Sequence, residues 1–196
     1  MYRVESWTQA VVEEQLSEWR RNTETKLPPQ GNPRTRQLAL DMRAAVDSDQ
    51  QLVDAILDTF NRESYVYTLR PGRLSGNNPI DQFMFQSKRG FCEHYASAFV
   101  FMMRAAGVPA RVIAGYQGGE LNPVNKTVIV HQFDAHAWAE VWLENRGWVR
   151  VDPTAAVSPL RIEMGLEEAI ASEGSFLAAA PLSPLRYRGI PLLNQL

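Results

Sequence analysis

The 196-residue sequence predicts an α+β domain in which one buried helix packs against an antiparallel sheet. Three observations carry this. Apolar residues recur at helical spacing through the first third of the chain. Residues 92–106 are apolar nearly all the way round, the pattern of a helix enclosed in a core. After Gly107 and Pro109 the chain changes to short strand-like runs bounded by turn residues.

Taken in order, Ser6 and Gln9 have capping-box spacing. Val12, Leu16 and Trp19 then follow on one helical face. The stretch from Leu27 to Pro33 holds three prolines and a glycine, so it is a connector. A second helix is expected from about Arg34 to Ala45, with Leu38, Met42 and Ala45 inward. Ser48 and Gln51 form a second capping box, and Val53, Leu57 and Phe60 give the third helix its apolar stripe. Tyr65 to Leu69 reads as a short strand ended by Pro71-Gly72. The buried helix runs from Cys92 to about Ala106 and exits at Gly107 and Pro109. Strands are expected over Arg111–Tyr116, Thr127–Phe133 and His136–Leu143. A turn at Glu144-Asn145-Arg146-Gly147 leads to Trp148–Asp152, which Pro153 closes.

The length implies a single domain, 1–196. Its helical part is 1–64, its core 81–157 and its irregular C-terminal arm 158–196, with one short helix near Ile162–Ala171. A chain of this size buries roughly 70% of its unfolded surface, so no metal or disulfide is needed to hold it. The net charge of −2 excludes a basic nucleic-acid platform. A hydrophobic content of 45%, with 5 Trp, 6 Tyr and 8 Phe, excludes an acidic disordered chain. One cysteine excludes an internal disulfide and any multi-cysteine metal knot. No export signal stands at Met1–Glu5, and Ala98–Met103, the longest charge-free apolar run in the core, is far too short to span a bilayer. The charge-poor arm carries Phe176, Leu182, Ile190 and other apolar residues between prolines. Part of it is expected to pack on the domain, and Leu192–Leu196 to lead towards a membrane helix.

Cys92 opens the buried helix after Lys88-Arg89-Gly90-Phe91. A thiol there feels unpaired N–H groups and the positive end of the helix dipole, which favour the nucleophilic thiolate. Gly90 permits a tight approach into the helix. The plain alternative is a small buried hydrophobe. A nucleophile wants a base, and the base wants an orienting group. His94, two residues on, points about 200° from the thiol and suits packing. His131 lies in an apolar run, and His136 opens a strand. Asp152 follows His136 by an even number of residues across a turn, so both side chains fall on one face of a hairpin. A register centred on residue 144 sets them directly opposite. Asp134 is the rival orienter, otherwise a turn residue, and Glu140 and Glu144 share the His136 face by parity. A metal site from Cys92, His131, Asp134 and His136 is disfavoured, because His131 and His136 have opposite strand parity. No cofactor is expected.

Arg89-Gly90-Phe91-Cys92-Glu93-His94-Tyr95-Ala96, followed by Gly107-Val108-Pro109-Ala110-Arg111-Val112, resembles the cysteine segment of the transglutaminase-like superfamily. His136-Ala137-Trp138-Ala139-Glu140-Val141-Trp142 resembles its histidine segment, and Gly147-Trp148-Val149-Arg150-Val151-Asp152-Pro153-Thr154 its aspartate segment. The three stand in the family's order and cover about a third of the chain. The resemblance implies a papain-like, transglutaminase-like core and a Cys92–His136–Asp152 triad. It implies acyl transfer on protein or peptide amides through a thioester, resolved as crosslinking, deamidation or proteolysis. A peptide-binding module on the same fold is the alternative. The helices at the start and the segment after Thr154 are similar to the bacterial TgpA-type branch. That likeness implies a periplasmic domain of an inner-membrane protein, anchored by flanking transmembrane segments. The calcium-binding loops of the animal enzymes have no counterpart here, and no tryptophan lies between Trp19 and Cys92. The oxyanion donors are therefore assigned to the Cys92 backbone N–H and, by analogy with papain-like proteases, to Gln86.

Overall fold

The computed structural model describes residues 5, 7 and 10–159. Ser6, Gln9 and the expected arm beyond residue 159 lie outside the described residues.

The first helix is shorter than its stripe predicts. α1 (Glu18–Glu24) begins after Ser17, whose hydroxyl accepts from Arg20 N at 3.3 Å. Val12 and Trp19 are exposed. The preceding segment is not helical because Glu13 has φ 51° and its neighbour's backbone is engaged elsewhere. Trp148 N–H donates to Val12 O at 2.9 Å, and Trp142 Nε1–H to Glu13 O at 2.8 Å. Trp148 Nε1–H donates to Glu13 Oε2 at 2.7 Å.

α2 (Pro33–Ala44) buries Thr35 and Ala39, with Leu38 and Met42 against the core, while Ala45 is exposed just past its end. α3 (Asp49–Arg62) buries Leu52, Val53, Ile56 and Phe60. Ser48 Oγ accepts from Gln51 N as expected, but the Gln51 side chain reaches back to Asp47 N instead of Ser48 N. β1 (Val66–Tyr67) follows, and α4 (Pro79–Gln82) runs into a π-helical turn at Phe83–Ser87 that the sequence reading did not foresee.

α2 and α4 cap each other. Asn32 precedes α2 in the left-handed region (φ 53°), and its side chain does not cap its own helix. Asp81 does so from α4: Thr35 N–H and Oγ1–H donate to its Oδ1 at 2.8 and 2.6 Å, and Arg34 N–H to its Oδ2 at 3.1 Å. In return Asn32 Oδ1 accepts from Ile80 N at 2.9 Å and Asp81 N at 3.2 Å. Asp81 is buried, so Asp81→Ala strands three donors that faced a carboxylate. The expected cost is about 2–4 kcal/mol, read from the urea unfolding midpoint; Asp81→Asn, which keeps an acceptor, costs less.

β2 (Arg89–Gly90) pairs in parallel with β1 and leads into α5 (Cys92–Ala105). This is the enclosed helix: Tyr95, Phe99, Met102 and Met103 are fully buried. Phe60 and Phe83 meet the Tyr95 ring edge-on at 5.6 and 5.1 Å, the favoured arrangement for aromatic pairs. Gly107 at φ 80° ends the helix. β3 (Ala110–Tyr116) follows. Of the expected strand 127–133 only β5 (Val128–Ile129) forms, paired with β4 (Glu120–Leu121). Val128 and Val130 are exposed, so nothing packs on this run to extend it. A short 3₁₀ turn at Gln132–Asp134 enters β6 (Ala135–Leu143), which turns into β7 (Gly147–Val151). The main sheet is antiparallel with order β3-β6-β7, and α5 lies against β6.

Candidate active site

Small residues bring α5 onto the sheet. Cys92, the first residue of α5, clusters with Ala96 one turn on and with Ala137 of β6. Gly90 has no room for a side chain: a Cβ there would lie 2.7 Å from His94 Cβ. The expectation of a tight entry to the helix is therefore met.

The hairpin register differs from the expected one by two residues. Trp142 pairs with Trp148 and Ala139 with Val151, so the turn centres on Asn145 (φ 63°) and Asp152 lies diagonally from His136. A shift of two preserves the face. His136 Nε2–H donates to Asp152 Oδ2 at 2.7 Å. Asp152 Oδ1 accepts from Thr154 N at 3.2 Å, capping the 3₁₀ turn at Pro153–Ala156 and fixing the carboxylate. His136 Nδ1 is buried and makes no hydrogen bond. Cys92 lies beside this imidazole, lines the same cavity and helps to raise its pKa. Burial pushes the His136 pKa down, but hydrogen bonds and charge from Asp152 and Cys92 outweigh it and hold the pKa above its ordinary value.

Cys92 and His136 open on a cavity of about 470 Å³ walled by Tyr67, Leu69, Phe91, Val112 and Phe133. The lining is mostly apolar, with the acid Glu93 among its residues. Gln86 is exposed on the π-helical turn and does not line this cavity. The geometry thus brings Cys92, His136 and Asp152 together and leaves Gln86 apart.

The other histidines and acids have different work. His94 packs against Phe91 and Phe83, with ring centroids at 4.5 and 5.7 Å, and Phe91 N–H donates to its Nδ1 at 3.4 Å. Burial lowers its pKa. His131 stacks on Phe133 and lies 3.8 Å from Glu120, while Asp134 Oδ2 accepts from His131 N. Glu140 takes two hydrogen bonds from Arg111, and Glu144 is exposed in the turn. Of the four residues of the metal reading, Asp134 is tied to His131 and Cys92 shares a cavity with His136.

Two residues beside the site escaped the sequence reading. Trp138 stacks on the His136 ring at 6.2 Å, and Arg150 lies over Trp138 at 4.2 Å. The signal was parity: Trp138 is two residues past His136, and Arg150 two before Asp152.

Known proteins resemble this chain in sequence and fold. A protein-glutamine gamma-glutamyltransferase of Pseudomonas aeruginosa is 53% identical over 195 residues, covering 100% of this chain and 29% of that protein. An uncharacterized Bacillus subtilis protein, YebA, is 33% identical over 135 residues, covering 66% of this chain and 18% of that protein. The crystal structure of the periplasmic domain of TgpA from P. aeruginosa superposes with a TM-score of 0.81 at 52% identity, covering 83% of this chain and 56% of that one. The same domain bound to ethylmercury gives 0.78 at 51%, over 81% and 56%. The chain therefore spans under a third of the curated relatives and just over half of the solved domain. No described helix is long and apolar enough to cross a membrane. The helix-on-sheet core is the transglutaminase-like, papain-like fold that the sequence predicts. The family model of the transglutaminase-like superfamily matches residues 36–153, and the chain belongs to that superfamily.

Proposed function

We propose that this chain is the catalytic domain of a cysteine enzyme that transfers acyl groups from protein or peptide amides. The observation that carries the reading is the 2.7 Å His136–Asp152 hydrogen bond, with His136 and Cys92 both lining one largely apolar cleft. In this reading the Cys92 sulfur attacks the amide carbonyl as thiolate, with His136 holding the proton. The backbone N–H of Cys92, at the helix start, faces the developing oxyanion. His136 then passes its proton to the departing nitrogen, the C–N bond breaks and a thioester remains. A primary amine or water attacks that thioester, gives its proton to His136 and releases the thiolate. Asp152 holds the imidazole in the tautomer and pose both steps need. The name of the P. aeruginosa relative supports the glutamine side chain as the acyl donor. The periplasmic label of the TgpA domain, together with this chain's partial span, supports a periplasmic setting within a membrane-anchored protein.

Mass spectrometry of a glutamine-containing protein after incubation with the chain tests the reading. Glutamate in place of glutamine means deamidation, a glutamine–lysine linkage means crosslinking, and a cut backbone means proteolysis. An unchanged substrate, with Cys92 reduced and accessible, overturns the enzyme reading in favour of a peptide-binding module.

A further inference from the structure

The carboxylate oxygen that receives the His136 proton has a second neighbour. Arg150 Nη2 lies 3.5 Å from Asp152 Oδ2, a charge contact too long for a strong hydrogen bond. The guanidinium is held there by three features. Its plane lies over the Trp138 ring, its Nη2–H donates to Gln117 Oε1 at 2.7 Å, and Trp138 in turn stacks on His136. Gly115 makes this stack possible: a Cβ there would fall 2.7 Å from Trp138 Cη2. His136, Trp138, Arg150 and Asp152 therefore close a ring of contacts on the outer side of the His–Asp hydrogen bond. Arg150 is half-exposed, whereas the His136 side chain is fully buried and Asp152 nearly so.

We propose that Arg150, carried on Trp138, is a positioning residue that limits how firmly Asp152 lets His136 hold its proton. The reason is charge. A cation beside Oδ2 shares the carboxylate's field and opposes a second positive charge on the imidazole. Among the described residues, the other charged or titratable groups around the pair are Cys92 and Glu93 on α5, Tyr67 on β1, Glu140 on β6, Arg111 on β3 and Asp134 before β6. Glu140 and Arg111 are paired at 2.6 Å, and Asp134 is tied to His131 N. Among the described residues, Arg150 is therefore the cation in direct contact with the hydrogen-bonded carboxylate. The effect matters to an acyl-transfer site because His136 must both keep a proton beside the thiolate and release it to the departing nitrogen. This inference rests on the thiol–imidazole reading above, but not on any substrate.

The test uses the chain's single cysteine. Alkylation rates of Cys92 by iodoacetate and by iodoacetamide are measured across pH, and their ratio is plotted. The anionic reagent is favoured while His136 is positively charged, so the midpoint of the ratio reports the imidazole proton. Arg150→Met keeps the stem over Trp138 and removes the charge. It is expected to move the midpoint up by about half to one pH unit at low salt. The shift shrinks in high salt, as a partly exposed charge requires. Arg150→Lys restores part of it, lacking the planar stack. A midpoint that stays put or moves down in a folded Arg150→Met protein overturns the inference, since loss of mere support for Asp152 moves it down. A wild-type ratio flat with pH overturns the thiol–imidazole reading itself. A wild-type midpoint that Asp152→Asn shifts and Arg150→Met does not overturns only the role of Arg150.

Discussion

Cys92→Ala is expected to remove acyl transfer, with a loss of about 10⁴-fold or more in the rate of ammonia release from protein glutamine. The sulfur is the atom that would form the thioester, and no other side chain at the cleft supplies a comparable nucleophile. The substitution is small. Cys92 packs against Ala96 and Ala137, so alanine keeps that contact and the fold should survive. An unchanged circular dichroism spectrum and melting point then assign the loss to chemistry. The same position gives a chemical control, because iodoacetamide has one thiol to reach. Full turnover by Cys92→Ala, or by fully alkylated wild type, would reject the mechanism.

Asp152→Asn is expected to lower the rate by about 10²–10⁴-fold while leaving the cleft intact. It also moves the pH profile in a fixed direction. In the wild type, burial pushes the His136 pKa down, and hydrogen bonds and charge from Asp152 and Cys92 bring it above its usual value. Without the carboxylate, burial gains ground and the pKa falls. In the proposed mechanism the active form carries a protonated His136 beside the thiolate, so the alkaline limb of activity should shift to lower pH. The same linkage acts on stability. A raised folded-state pKa contributes stability below the unfolded imidazole's value of about 6.5, and that contribution fades as pH rises through the folded value. Wild type should therefore lose part of its advantage over Asp152→Asn as pH rises through that window. An alkaline limb that stays in place would mean that Asp152 does not act through His136.

The fold class and the placement of the candidate site residues Cys92, His136 and Asp152 were both legible in the sequence. Cys92 announces itself by opening an apolar helix behind a glycine, and the His136–Asp152 relation survives because parity is insensitive to a register shift of two. The exact register was not legible. It depends on Asn145 taking a left-handed conformation at the centre of a three-residue turn, and Glu144-Asn145-Arg146-Gly147 admits more than one centre. The caps of α2 and α4 were hidden for a different reason. Asn32 and Asp81 stand far apart in the chain, and local capping patterns look only a few residues ahead. The apolar spacing of Val12, Leu16 and Trp19 misled because the hairpin competes for the same backbone, and its hydrogen bonds hold Val12 and Glu13 out of a helix. Arg150 escaped because a lone arginine on a strand carries no signal until its neighbours are placed.

The segment at Val12–Glu13 has a consequence for solubility. Among the described residues β7 is the last strand of the three-stranded sheet, so its side facing away from β6 has no further strand to pair its backbone donors and acceptors. Such an edge is a template on which another chain can pair. Here the carbonyl of Val12 occupies Trp148 N–H, and Glu13 ties down the indoles of both Trp142 and Trp148. Gly147 lets this strap lie close, since a Cβ there would meet Val12 O. Residues that contribute nothing to the chemistry thus guard the hairpin that carries His136 and leads to Asp152. A protein trimmed past Glu13 would offer a sticky margin flanked by two freed tryptophans, and it would tend to self-associate through the strand next to the candidate active site.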